Sequence, residues 1–108
     1  MLLDRPQQIS GDDLDETLWG AAVPVLVDFY ADWCGPCRAM APVLEAVAAN
    51  RAGQLLVLKV DTDRHPGVAG RLGIRGIPTL IAYEGGREVG RHVGMADGPT
   101  LERLAGLV

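Results

Sequence analysis

The chain has 108 residues, 48% hydrophobic and 22% charged, enough for one domain with its own core and too apolar for a disordered segment. Its net charge of -4 and scattered arginines argue against a polynucleotide partner. The longest apolar run, Ala21 to Val27, falls far short of the roughly 20 residues of a spanning helix, and MLLDRPQQIS carries no apolar leader core. A single domain over residues 1–108, cytoplasmic and without a membrane partner, is therefore expected.

The first element is a short strand at Gln7 to Ile9. Ser10, followed by Gly11, Asp12 and Asp13, places a capping hydroxyl and first-turn acids before Leu14, Leu18 and Trp19, a helix start. From Pro24 to Tyr30 both alternating faces are apolar except for Asp28, as in a strand covered on both sides. Met40, Val43, Leu44, Val47 and Ala48 recur at helical spacing, predicting a helix from Cys34 to Asn50 with a kink at Pro42. A second doubly covered strand follows at Leu55 to Val60. Next come a short helix at Pro66 to Leu72, opened by its proline, and a loop at Gly73 to Gly76. Thr79 to Tyr83 and Glu88 to Val93 flank a glycine-rich turn and form an antiparallel hairpin. A last amphipathic helix carries Leu101, Leu104, Ala105 and Val108 on one face. The order βαβαβαββα predicts an α/β fold, a mixed central sheet with helices on both faces in three layers.

The only cysteines, Cys34 and Cys37, lie in VDFYADWCGPCRAMAPVLE. In a sheet of this kind the working crevice lies beyond the C-terminal strand ends, and the loop Ala31 to Trp33 delivers Cys34 there, to the first turn of a helix. Amides and the helix dipole favour a thiolate at Cys34. Cys37, one turn on, is placed to attack Cys34 after a mixed disulfide has formed. Gly35 and Pro36 shape the turn between them, and Pro36 withholds one amide. A structural disulfide is out of place in a reducing compartment. Zinc would need two more ligands, and His65 and His92 stand at no familiar spacing from the pair, so no metal is expected.

A carboxylate on a doubly covered strand is costly unless paired or protonated, so burial should raise the pKa of Asp28. Lys59, in the other buried strand, offsets part of that cost if the strands are neighbours. On residues alone, a structural ion pair and a chemical role for Asp28 stand level. Trp33 is either core or contact surface, and Gly76 and Gly94 are either turn residues or points of close backbone approach.

WCGPC preceded by VDFYAD, Pro42 five residues after Cys37, GIRGIPTL from Gly73 to Leu80, and the Gly85-Gly86 and Val93-Gly94 pairs together resemble the thioredoxin family, in order and spacing from Ser10 to Val108. The resemblance implies the thioredoxin fold and a protein-disulfide reductase with Cys34 as nucleophile and Cys37 as resolving thiol. It implies Asp28 as proton acceptor for Cys37 through water, with Lys59 as its partner. It also implies a cis Ile77-Pro78 bond against the dithiol, with the Ile77 backbone, Trp33, Gly76 and Gly94 on the client-binding face. The implied partners are disulfide-containing proteins and a thioredoxin reductase that draws on NADPH, the chain itself being a monomer without bound cofactor. Tyr30 stands where a tryptophan is common in the family. Relatives that oxidise or isomerise disulfides usually carry histidine in the central dipeptide, and a redox-independent binding module is the alternative from another class.

Overall fold

The computed structural model describes residues 3–108. Residues 1 and 2, the start of the expected domain, lie outside the described residues. Five strands and four helices follow in the order β1 (Gln7–Gln8), α1 (Leu14–Gly20), β2 (Val25–Tyr30), α2 (Gly35–Asn50), β3 (Leu56–Asp61), α3 (Pro66–Arg71), β4 (Thr79–Glu84), β5 (Arg87–Val93) and α4 (Gly98–Leu104). Every expected element is present.

The sheet order is β1-β3-β2-β4-β5. β1, β3 and β2 run parallel, whereas β4 is antiparallel to β2 and β5 to β4. β2 is central, which explains its apolar residues on both faces. On one face Leu26, Val57, Leu80 and Ala82 pack with Met40, Leu44, Val47 and Ala48 of α2 and Leu101 and Ala105 around α4. On the other, Val25, Val27, Phe29, Leu58, Val60 and Ile81 pack with Leu14 and Leu18 of α1 and Val68 of α3. Each fully buried Val, Leu, Ile, Met or Phe among them contributes about 1.5–3 kcal/mol, so the two half-cores hold the layers together.

The local differences from expectation have physical causes. Ser10 Oγ accepts from the Asp13 amide at 3.3 Å, closing a turn at residues 11–13, so α1 begins only at Leu14, after Asp13. Trp19 is 65% exposed and its ring lies over Gly86, where an added Cβ would come within 2.6 Å of it. Gly85 and Gly86 have φ of 60° and 81°, the left-handed pair that a two-residue hairpin turn requires. Helix α2 continues through Pro42 to Asn50. Val108 lies beyond α4 and is exposed, while Leu107 packs against the core in its place.

One end of the sheet collects four chain segments. The C-terminal ends of β2, β3 and β5 meet there with the N-terminal end of β4, as the pairings Phe29 with Val60, Phe29 with Thr79 and Thr79 with Val93 require. The loops leaving those ends carry Trp33 and Cys34, Asp63, Ile77 and Pro78, and Gly94.

Candidate active site

Cys34 is the N-cap of α2, with extended φ and ψ of -82° and 111°. Its amide donates to the Ala31 carbonyl at 3.1 Å, which folds the loop tightly. Pro36 stands in the first turn, where a missing N–H costs the helix nothing. Cys34 and Cys37 are joined in a disulfide, their Cα atoms 5.2 Å apart. The Cys37 amide donates to Cys34 Sγ at 3.2 Å. A free N–H of the first helical turn thus points at the sulfur that would carry negative charge after reduction. Both cysteines are almost fully buried, and they pack with Ala31, Tyr30 and Ile77.

The Ile77-Pro78 bond is cis, and the Ile77 carbonyl oxygen lies 3.8 Å from Cys34 Sγ. Thr79 Oγ1 donates to the Gly76 carbonyl at 2.5 Å, and the Gly94 amide donates to the Pro78 carbonyl at 2.8 Å. These bonds tie the residues before β4 to the end of β5. Gly94 has φ of 96°, a conformation strained for any side chain. Gly76 has no positive φ, and a Cβ there would make only ordinary contact with Val93 at 3.4 Å.

Trp33 is 68% exposed and thus a surface residue. Its indole Nε1 donates to Asp63 Oδ2 at 2.8 Å. The Asp63 loop is braced by buried Asp61, whose Oδ1 accepts from the amides of Asp63 at 2.9 Å and Arg64 at 3.3 Å. Arg38 Nη1 donates to the Asp32 carbonyl at 2.7 Å. Val93 and Met95 are also exposed apolar side chains on the segment that includes Gly94. Sequence reasoning missed Asp63, Val93 and Met95. Asp63 lies thirty residues after Trp33, and only the adjacency of β2 and β3 brings the two loops together.

Asp28 is 1% exposed, and neither carboxylate oxygen has a hydrogen-bond partner. Burial lifts its pKa from the ordinary 3.8 to about 6, with the charge of Lys59 pulling the other way. Lys59 is its register partner across β2 and β3. The expected pairing nevertheless stops short of a salt bridge: among the described residues no ion pair joins the two. The Lys59 ammonium lies over the Tyr30 ring instead, 4.5 Å from its centroid. Lys59 and Cys37 line one cleft of about 280 Å³, together with Tyr30, Ala31, Asp32, Arg38 and Ala41. An unpartnered buried carboxylate, whose register partner Lys59 shares a cleft with Cys37, is the type of group that active sites keep.

Among the described residues, no three His, Cys, Asp or Glu side chains are grouped to hold a metal ion, and no helix is long and apolar enough to cross a membrane. The thioredoxin family model matches residues 6–105. Thioredoxin 1 of a Nostoc species is 44% identical over 96 residues, covering 89% of this chain and 90% of that protein. The chloroplastic M-type thioredoxin of Pisum sativum is 39% identical over 99 residues, 92% of this chain and 58% of that protein. Among solved structures, a mutant thioredoxin from Halobacterium salinarum superposes with a TM-score of 0.87 at 35% identity, covering 100% of this chain and 97% of that one. With a cysteine pair at disulfide distance, N-capping a helix at the collecting edge of a mixed five-stranded sheet, this chain belongs to the thioredoxin family of thiol-disulfide oxidoreductases.

Proposed function

We propose that residues 1–108 form a single, monomeric, cytoplasmic protein-disulfide reductase in which Cys34 attacks and Cys37 resolves. The Cys34 thiolate attacks a client disulfide, forming a mixed disulfide and releasing the first client sulfur as a thiol. The Cys37 thiolate then attacks Cys34 Sγ. The intramolecular disulfide forms, the second client sulfur leaves, and two electrons have passed to the client. The observation that carries this reading is the Cys37 amide directed at Cys34 Sγ at 3.2 Å, which favours a thiolate at Cys34.

Asp28 takes the proton of Cys37 through water, and its raised pKa of about 6 suits a base that works near neutral pH. Gly35 shapes the turn and Pro36 withholds one amide from the sulfurs, and together they tune the pair's potential. Trp33, Gly76, Ile77, Pro78 and Gly94 form the client-binding face; the exposure of Trp33 and the left-handed Gly94 support that assignment. An extended client segment lies along the Ile77 backbone in a strand-like manner. A thioredoxin reductase drawing on NADPH restores the dithiol, and the chain needs no cofactor of its own.

The test combines reductase-coupled reduction of insulin disulfides with trapping. Wild type turns over with NADPH, and Cys37→Ser accumulates mixed disulfides through Cys34. Unaltered function after replacement of both cysteines would instead identify a redox-independent binding module.

A further inference from the structure

Tyr30 lies two residues beyond Asp28 on β2, on the same face of the sheet, and its side chain reaches across β3. Its hydroxyl donates to Gln8 Oε1 on β1 at 2.8 Å. The Gln8 Nε2 donates back to the Lys59 carbonyl at 3.4 Å, and Gln8 is the register partner of Lys59 on the side away from Asp28. Both ends of one amide are thus engaged, and the phenol ring is held as a lid over β3. Beneath that ring sits the Lys59 ammonium, 4.5 Å from the centroid. The ring face attracts a cation, and Asp28, the opposite charge directly across the strand pair, is left without an ion pair.

We propose that Tyr30, clamped by Gln8, is a positioning residue that holds the Lys59 ammonium on its ring and thereby withholds it from the Asp28 carboxylate. Lys59 has two competing partners, a quadrupole and a carboxylate. Direct pairing with Asp28 would bring opposite charges together in a poorly hydrated place and stabilise the ionised form strongly. The other groups around Asp28 offer no substitute cation. β4 sets Leu80 opposite it, and α2 contributes Cys37 and apolar side chains to that face. Asp4, Arg5, Asp32, Arg38 and Glu45 line the clefts that Lys59 borders. Holding Lys59 back keeps Asp28 ready to accept a proton near neutral pH. That consequence rests on the reading of Asp28 as the base for Cys37; the placement of Lys59 does not.

The test is a direct titration of the Asp28 carboxyl carbon by NMR in the oxidised protein, as wild type, Tyr30→Leu, Lys59→Met and the double variant. Tyr30→Leu frees Lys59 to reach Asp28, so the midpoint falls by about one pH unit, a tenfold change in proton affinity. In the Lys59→Met background the same Tyr30 change leaves the midpoint where it was, because nothing remains to be released. Gln8→Ala, which leaves the core untouched, shifts the midpoint in the same direction by less, and it carries the test alone should Tyr30→Leu not fold. An unmoved or raised midpoint in both Tyr30→Leu and Gln8→Ala overturns the proposal. An equal shift with and without Lys59 does so too, since Tyr30 would then act by shielding Asp28 from water. Rates of mixed-disulfide breakdown in the same variants report separately on Asp28: a midpoint that moves with no change in the pH profile of the rate refutes Asp28 as base and leaves the placement of Lys59 standing.

Discussion

Asp28 and Lys59 stand in register across β2 and β3, yet the ammonium lies over Tyr30 and the carboxylate has no partner. The buried acid is therefore held by its surroundings in a state that favours the proton, and stability and catalysis should both show it.

For stability, the folded-state pKa of about 6 lies above the ordinary 3.8, so the folded protein binds this proton more tightly than the unfolded chain. The stabilisation from the protonated carboxyl is complete below about pH 4 and is lost as pH rises through about 6. The gap corresponds to about 3 kcal/mol. Asp28→Asn, which cannot ionise, should therefore exceed wild type at pH 8 by up to that amount and converge with it toward pH 4. Urea unfolding of the oxidised proteins at the two pH values measures this. An equal difference at both would show that ionisation is not the cause.

For catalysis, Asp28→Ala removes the carboxyl proposed as the proton acceptor without touching either sulfur. General bases contribute about 100- to 10,000-fold where proton transfer limits the step. Single-turnover breakdown of the mixed disulfide should slow at least tenfold near pH 7 and lose its inflection near 6, while the initial attack by Cys34 keeps its rate. Stopped-flow measurement of the two phases across pH separates these effects, and an unaltered second phase would remove Asp28 from the mechanism.

Gly76 and Gly94 should behave differently although both are assigned to the client face. At Gly94 the φ of 96° makes any side chain strained, so Gly94→Ala should cost about 1 kcal/mol or more in unfolding free energy. At Gly76 an added methyl meets Val93 at 3.4 Å, an ordinary contact, and Gly76→Ala should stay within about 0.5 kcal/mol of wild type. A rise in KM for insulin with unchanged stability in Gly76→Ala would show that a client backbone approaches there. Unchanged kinetics would make Gly76 a turn residue only.

The bond from Trp33 to Asp63 spans two exposed loops at 2.8 Å. Asp63→Ala should alter stability by no more than about 0.5 kcal/mol, as exposed substitutions do. Freed of its anchor, the indole samples more orientations, and a client must order it on binding. KM should therefore rise severalfold with kcat unchanged, and steady-state insulin reduction provides the comparison. A loss confined to kcat would place Asp63 in the chemistry instead.

What was legible in the amino-acid string was what depends on near neighbours. Apolar residues on both faces marked β2 and β3, the helical spacing of Met40, Leu44 and Val47 marked α2, and the glycine pair at 85 and 86 marked the hairpin turn. CGPC at the head of α2 identified the dithiol because strand, loop and helix start are contiguous. Where a signal depended on a competing partner, local reading went astray. Ser10 closed its own turn instead of capping α1.

Tertiary structure alone decided which distant groups meet. Insertion of β4 antiparallel beside β2 carries Ile77 to Cys34 across 43 residues of chain, and the pairing of β2 with β3 brings Asp63 beneath Trp33. Register likewise sets Lys59 opposite Asp28, as the two buried strands suggested, but register does not choose a rotamer. That choice fell to Tyr30 and Gln8, because a long cationic side chain settles where the sum of its interactions is most favourable, and those interactions come from three strands at once.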